Sequence, residues 1–300
     1  MNMKTLGKLT IVLIVIGLFG ATFANAQKYS AKRRNSKAKI TKNKQMPKRQ
    51  TTAIENQQIK ILASGLQGNI EETFIFAARD AETYELIKKW VPELPEAREI
   101  DFKTNAVIAA FLGTKPTAGF EVEITKSANN NFKVETMGVP SGAMVAQVLT
   151  TPFKVALVPV KQENALGIQL GSDWTNAMQT FRIASGEFSF SGGSAPIEKK
   201  FQLDGTLNFW RAGDLVTIDF NASGKGAEKS RKLSEIASGV FTGNSFTLMR
   251  MDAGNFVDPP HPALKVTGEM NGNKISLVFE SLPTVYSDGY EGKGRLEAVK

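Results

Sequence analysis

Residues 101–124, DFKTNAVIAAFLGTKPTAGFEVEI, and residues 144–159, MVAQVLTTPFKVALVP, together decide the fold of this chain. Ala106 to Leu112 is apolar at every position, the pattern of a strand covered on both faces. Phe120, Val122 and Ile124 instead alternate with Glu121, Glu123 and Thr125, which predicts one buried face and one wet face. Between these runs Gly113 to Gly119 forms a tight connector. Pro116 fixes one φ there, and the flanking glycines permit backbone angles that a side chain forbids. Asn129-Asn130-Asn131 closes the next hairpin, since asparagine tolerates left-handed angles and caps turns through its side chain. Phe132 and Val134 then alternate with Lys133 and Glu135. Thr151-Pro152-Phe153 bends or breaks the last strand pair, because proline cannot donate to a ladder.

The residues Asp101-Phe102, the apolar strand, Gly113, Lys115 to Phe120, and Thr150 to Phe153 with Val155 and Pro159 resemble the PrcB family C-terminal domain. The resemblance covers roughly residues 58–160. That family takes its name from an accessory subunit of a bacterial surface protease complex. It more often has Gly and Tyr where this chain has Ala118 and Phe120, so any family contact through that hydroxyl is missing here. The resemblance implies an accessory role toward an extracytoplasmic protein, a protease among the candidates.

Outward toward the N-terminus, residues 1–26 read as a secretory signal. Lys4 and Lys8 precede an apolar run from Leu9 to Leu18, and Ala24-Asn25-Ala26 offers a small-residue cleavage site. The run is shorter than the roughly 20 residues of a spanning helix, so no stable membrane span is expected in the mature chain, which is placed as secreted or periplasmic. Residues 27–53 form a basic, disordered tail that suits an anionic envelope surface. Its positive charge directly after an apolar run works against export. Of 37 Lys and Arg, 12 fall in residues 1–50 with no acidic residue, leaving 25 against 29 acidic in residues 51–300, a net of −4. The folded part is therefore mildly acidic, and the high overall charge does not imply a nucleic-acid partner. No cysteine is present, which excludes disulfides, thiol chemistry and an N-terminal lipid anchor.

The fold class is mainly β. Residues 54–160 form an α+β module with short strands at 59–63 and 73–77 and one helix over 81–90, capped by Asp80 and stopped by Val91 before Pro92. Tyr84 and Trp90 are expected as core. Residues 161–179 read as a connector containing Trp174. Residues 180–300 predict an antiparallel barrel or sandwich, with strands over 180–190, 200–211, 215–220, 239–241, 245–251, 264–270, 274–280 and 292–299. Asn271-Gly272-Asn273 is the clearest hairpin turn. Residues 223–238 read as a polar excursion, a mobile loop or short helix.

Candidate chemistry is sparse. The one histidine, His261, sits in Asp258-Pro259-Pro260-His261-Pro262, a rigid surface loop, and no G-x-S-x-G elbow supplies a nucleophile for it. One His without Cys makes a poor metal set, and neither a metal nor a cofactor is expected. Glu121 and Glu123 share a wet face about 7 Å apart, which is ordinary for an exposed strand. Asp214 and Asp219 fall on opposite faces of a regular strand. Ser191-Gly192-Gly193-Ser194 lacks the helix and Lys-Ser/Thr pair of a phosphate loop and reads as a turn. The better candidates are protein-binding: Lys115, Pro116, Thr117, Gly119, Phe120, Pro152 and Phe153, with Lys115 as charged rim and the phenylalanines as anchors. Phe120 shares a face with Val122 and Ile124, which argues for inward packing. The expectation is an exported, noncatalytic binding or accessory protein rather than an enzyme. Two alternatives remain open. One is a carrier of a small apolar ligand lined by Phe209, Phe246 or Phe279, which a fully packed interior rules out. The other is a protease inhibitor acting through the loop from Gly113 to Phe120.

Overall fold

The computed structural model describes residues 58–128, 130–161, 164–192, 195–226, 230–252, 263–282 and 291–300. The stretches read as a signal sequence and a basic tail, Asn129, Gly193-Ser194 and the loop around His261 lie outside them. Two sheets and one short helix build the first part. β1 (Lys60–Gly65), β2 (Thr73–Ala78), β3 (Asn105–Leu112) and β6 (Phe153–Pro159) form an antiparallel sheet in the order β1-β6-β3-β2. β4 (Glu121–Ala128), β5 (Asn131–Met137) and β7 (Gly167–Leu170) form a second sheet in the order β4-β5-β7, with β7 parallel to β5. The wholly apolar β3 is central in its sheet and buried from Ala106 to Leu112. The alternating β4 and β5 turn Val122, Ile124, Phe132 and Val134 into the same core and leave Glu121 outside.

α1 (Ala81–Lys88) begins where Asp80 accepts the Thr83 N–H at 2.8 Å and the Thr83 hydroxyl at 3.0 Å. It ends two residues earlier than the pattern predicted, because the Trp90 and Val91 N–H groups both close on the Ile87 carbonyl. Tyr84 is fully buried and donates to the Pro95 carbonyl at 2.8 Å, while Trp90 is half-buried against the core. Burial first, and then the negative charges of Glu85, Glu96 and Glu99, push the Tyr84 phenol up to about 12.

The second part is a closed eight-stranded antiparallel barrel. Its strands are β8 (Gln179–Gly192), β9 (Ala195–Ala212), β10 (Leu215–Lys225), β11 (Ser230–Thr242), β12 (Ser245–Asp252), β13 (Ala263–Asn271), β14 (Lys274–Ser281) and β15 (Glu291–Val299). β15 pairs with β8 and so removes both sheet edges. Every strand predicted in this region is present, and the turn at Gly272 has φ +60. Phe209, Phe246 and Phe279 lie in the barrel core. Phe209 meets Phe246 at 6.0 Å between ring centroids, and Phe279 meets Phe220 at 6.0 Å.

Two stretches differ from the sequence reading. Residues 223–225 and 230–238 are strand: β10 runs through Lys225 and β11 starts at Ser230, in unbroken register from Leu215↔Val240 to Lys225↔Ser230. Their polar composition reflects what they touch. Ser238 and Glu235 are buried against the first part of the chain, where Ser238 Oγ accepts the Ala77 N–H at 2.9 Å and meets Thr217 Oγ1 at 2.7 Å. The stretch read as a connector holds β7 and α2 (Ser172–Ala177), because Trp174 is fully buried. Its Nε1 donates to the Phe74 carbonyl at 3.0 Å, and its own carbonyl accepts Trp210 Nε1 at 2.9 Å.

The barrel wall thus belongs to the first core as well. Trp210, Ala212, Leu215 and Ile236 pack with the sheet residues, and an ion pair joins the two sides, Arg79 Nη1 to Glu235 Oε1 at 3.0 Å. This contact explains why residues 215–218 are buried on both faces of β10.

Candidate functional site

The loop from Gly113 to Phe120 is pinned at almost every residue. Gly113 has φ +68, and a Cβ there would stand 2.8 Å from the Glu71 carbonyl oxygen, so this position admits only glycine without strain. The Thr114 N–H donates to that same carbonyl at 3.0 Å. Lys115 and Thr150 exchange both backbone hydrogen bonds, at 2.7 and 2.9 Å, and the Thr150 hydroxyl donates to the Thr117 carbonyl at 3.1 Å. Ala118 N–H reaches the Ala146 carbonyl at 3.0 Å, and Gly119, with φ +99, leaves room for Val139 and Val145.

Lys115, expected as a charged rim, turns its ammonium inward to the fold. Its Nζ lies 2.5 Å from Asp173 Oδ1 and 5.7 Å from the centre of the Phe120 ring. Thr136 Oγ1 donates to the other carboxylate oxygen at 2.6 Å. Burial raises the Asp173 pKa, but the hydrogen bonds from Lys115 and Thr136 and the lysine charge outweigh it, and the carboxyl sits below its ordinary range. The cluster is a strut tying the loop to β5 and α2.

Of the remaining predicted residues, Pro116 and Gly119 are exposed, and Thr117 and Phe120 are half-buried. Pro152 and Phe153 are buried. Pro152 stands just before β6, where a proline costs the ladder no donor, and Phe153 stacks on Phe111 at 5.8 Å. Phe120, Pro152 and Phe153 come together around a groove of about 170 Å³ that Ser64, Gly65 and Leu66 also border. Lys115, Pro116 and Thr117 do not line it.

The residues the pattern reading missed form an apolar ridge. Residues 138–149 follow β5 without regular strand structure and carry Met144, fully exposed at 100 %, Val148, and Leu149 at 67 %. Exposed Met137 starts the ridge and exposed Leu66 lies at its other end, held there because the Leu66 carbonyl accepts the Thr151 N–H at 2.8 Å and Gln67 Nε2 donates to the Leu149 carbonyl at 3.3 Å. The available signal was the lack of polar alternation in GVPSGAMVAQVL, where a half-buried strand would have shown it.

Asn130 also does more than close the hairpin. Its φ is +54, and its side chain bonds the Lys161 N–H and the carbonyls of Lys161 and Asn164, at 2.7 to 3.0 Å, which fixes the return path into β7. Elsewhere, Asp219 is half-buried on the barrel exterior. Desolvation raises its pKa against one opposing hydrogen bond from Asn208 Nδ2 at 3.1 Å. A depression of about 660 Å³ on the barrel is bordered by Phe188, Phe279, Lys293 and Arg295. Among the described residues no three His, Cys, Asp or Glu side chains gather as a metal set, and no helix is long and apolar enough to cross a membrane.

Residues 106–159 match the family model described as PrcB C-terminal. The match covers β3 through β6, and with them the pinned loop and the ridge. Neither comparison, with curated proteins or with solved structures, returned a match.

Proposed function

We propose that this chain is an exported, noncatalytic accessory protein that docks on an extracytoplasmic protein, a protease among the candidates, through the ridge of residues 137–149 and Leu66. The observation that carries the reading is that Met137, Met144, Val148 and Leu149 stand exposed on the PrcB-like stretch, which is tied to the pinned loop by the Ala118 N–H to Ala146 carbonyl bond and to Gln67 at the Leu149 carbonyl. Large apolar side chains exposed together on one short stretch mark an interaction site.

The inhibitor reading has less support. A loop that blocks a cleft must project its side chains, whereas Lys115 turns to Asp173. The carrier reading has less support as well: Phe209 and Phe246 pack on other rings, and of its three lining residues Phe279 alone borders the depression on the barrel.

The test is affinity capture from the extracytoplasmic fraction with wild type, Met144→Asp and Leu149→Asp, each checked for an unchanged circular dichroism spectrum. Burying a leucine side chain stabilises by about 1.5–3 kcal/mol. Each aspartate should therefore weaken capture of the same partner by at least about tenfold. Equal yields from all three proteins would remove the ridge from the binding surface.

A further inference from the structure

We propose that the free edge of β4 accepts an extended segment of the partner protein whose side chains run basic, apolar, basic, with the apolar residue seated in the groove between β4 and β1. The proposal builds on the docking reading above and supplies the chemistry of its partner.

Among the described residues β4 is the end strand of its sheet and pairs with β5 on one side only, and β1 likewise ends the four-stranded sheet. The groove lies where these two edges meet. Its described lining includes Phe120, Glu121 and Val122 at the start of β4 and no residue of β5, which puts it on the unpaired side of β4. Its apolar surface comes from buried Val122 and Phe153 and half-buried Phe120, with Ser64, Glu121 and Lys154 as polar border, and at about 170 Å³ it holds one medium-sized side chain. An exposed edge offers a row of backbone donors and acceptors to an added strand, and pockets beside it select alternate side chains.

The charge pattern selects the other positions. Glu121 and Glu123 flank Val122 on the wet face of β4. Across the ladder Glu123 stands directly opposite Glu135, whose Oε1 is held by Lys133 Nζ at 2.7 Å. Carboxylates facing each other across strands repel. A strand laid along the free side of β4 sets two alternate side chains beside Glu121 and Glu123 and the intervening one beside Val122. Basic residues at the outer two positions offset the Glu123–Glu135 opposition, whereas acidic ones add to it. Lys154 borders the groove from β6 and keeps the basic side chains on the β4 side.

The test uses the ¹⁵N-labelled full chain and three blocked pentapeptides: Thr-Lys-Leu-Lys-Thr, Thr-Glu-Leu-Glu-Thr and Thr-Lys-Ser-Lys-Thr. We expect amide shifts at Ser64 to Leu66 and Phe120 to Glu123. The Lys-Leu-Lys peptide should bind at least about tenfold more tightly than either of the others, and its advantage over the acidic peptide should shrink between about 0.01 and 1 M salt as charges are screened. Glu123→Gln should cut that advantage severalfold. Equal binding of the basic and acidic peptides, shifts confined to other regions, or no shifts at all would overturn the proposal. So would concentration-dependent dimerisation that shifts the same amides without peptide, since the edge would then serve a second copy. A failed peptide titration alongside loss of capture by Leu149→Asp would leave the ridge standing and refute only the β4 edge.

Discussion

Replacing Glu235 by alanine tests whether the PrcB-like part and the barrel stand as one body. The Glu235 side chain is 1 % exposed and holds Arg79, 4 % exposed, at 3.0 Å. Its second oxygen accepts the Leu166 N–H at 3.0 Å. Removing one member of a buried pair leaves the other charge in a poor solvent, at a cost of about 3–5 kcal/mol. The lost bond to Leu166 adds about 1 kcal/mol. A total of about 4–6 kcal/mol corresponds to a fall in Tm of roughly 8–24 °C for a body of this size. The double variant Arg79→Met/Glu235→Leu removes both charges and should recover most of that loss, because apolar replacement of a buried pair is often neutral or better. Urea unfolding followed by far-ultraviolet circular dichroism and by tryptophan fluorescence measures both. Trp174 and Trp210 meet at the contact, so their fluorescence reports its opening directly. A Glu235→Ala protein within about 1 kcal/mol of wild type would refute the reasoning. So would a double variant as unstable as the single one.

The Asp173 strut predicts an acid-side loss. Because the folded pKa lies below the ordinary carboxylate value of about 3.9, the stabilisation is complete above that value and lost as pH falls through the folded one. Wild type should lose stability toward Asp173→Asn over that window in paired urea titrations, and parallel curves would refute the strut. Tyr84 predicts the opposite limb: with its phenol raised to about 12, the stabilisation is present below about pH 10 and lost as pH rises toward 12. Tyr84→Phe should be about 1 kcal/mol less stable at neutral pH, from the lost bond to the Pro95 carbonyl, and should show a smaller alkaline decline in thermal scans. Gly113→Ala and Gly142→Ala both place a side chain at positive φ, but only the first meets backbone, at 2.8 Å from the Glu71 oxygen. Both should destabilise, by about 1–3 kcal/mol, with Gly113→Ala clearly the worse in chemical denaturation. Equal losses would show that the loop moves freely away from Glu71.

The sequence by itself determined the elements whose environment is written in local pattern. Unbroken apolarity placed β3 at the centre of its sheet, alternation gave β4 and β5 a core face, and Asp80 fixed the start of α1. Short strands with glycine turns gave an antiparallel barrel or sandwich, because each hairpin repeats one local rule, while the closure into a barrel came from the pairing of β15 with β8. The resemblance found on Gly113 to Phe120 and Thr150 to Pro159 was legible for the same reason: those residues answer to backbone geometry that glycine and proline alone satisfy. Only the tertiary structure decided what the polar residues were for. Glu235 and Ser238 read as a solvated excursion because pattern cannot tell a charge facing water from one facing Arg79 across more than 150 residues of chain. Lys115 read as a rim for the same cause, since its partner Asp173 is 58 residues away. The ridge from Met137 to Leu149 left only the missing polar alternation as a trace, because an exposed methionine and a buried one are the same letter until neighbouring elements either cover it or leave it bare.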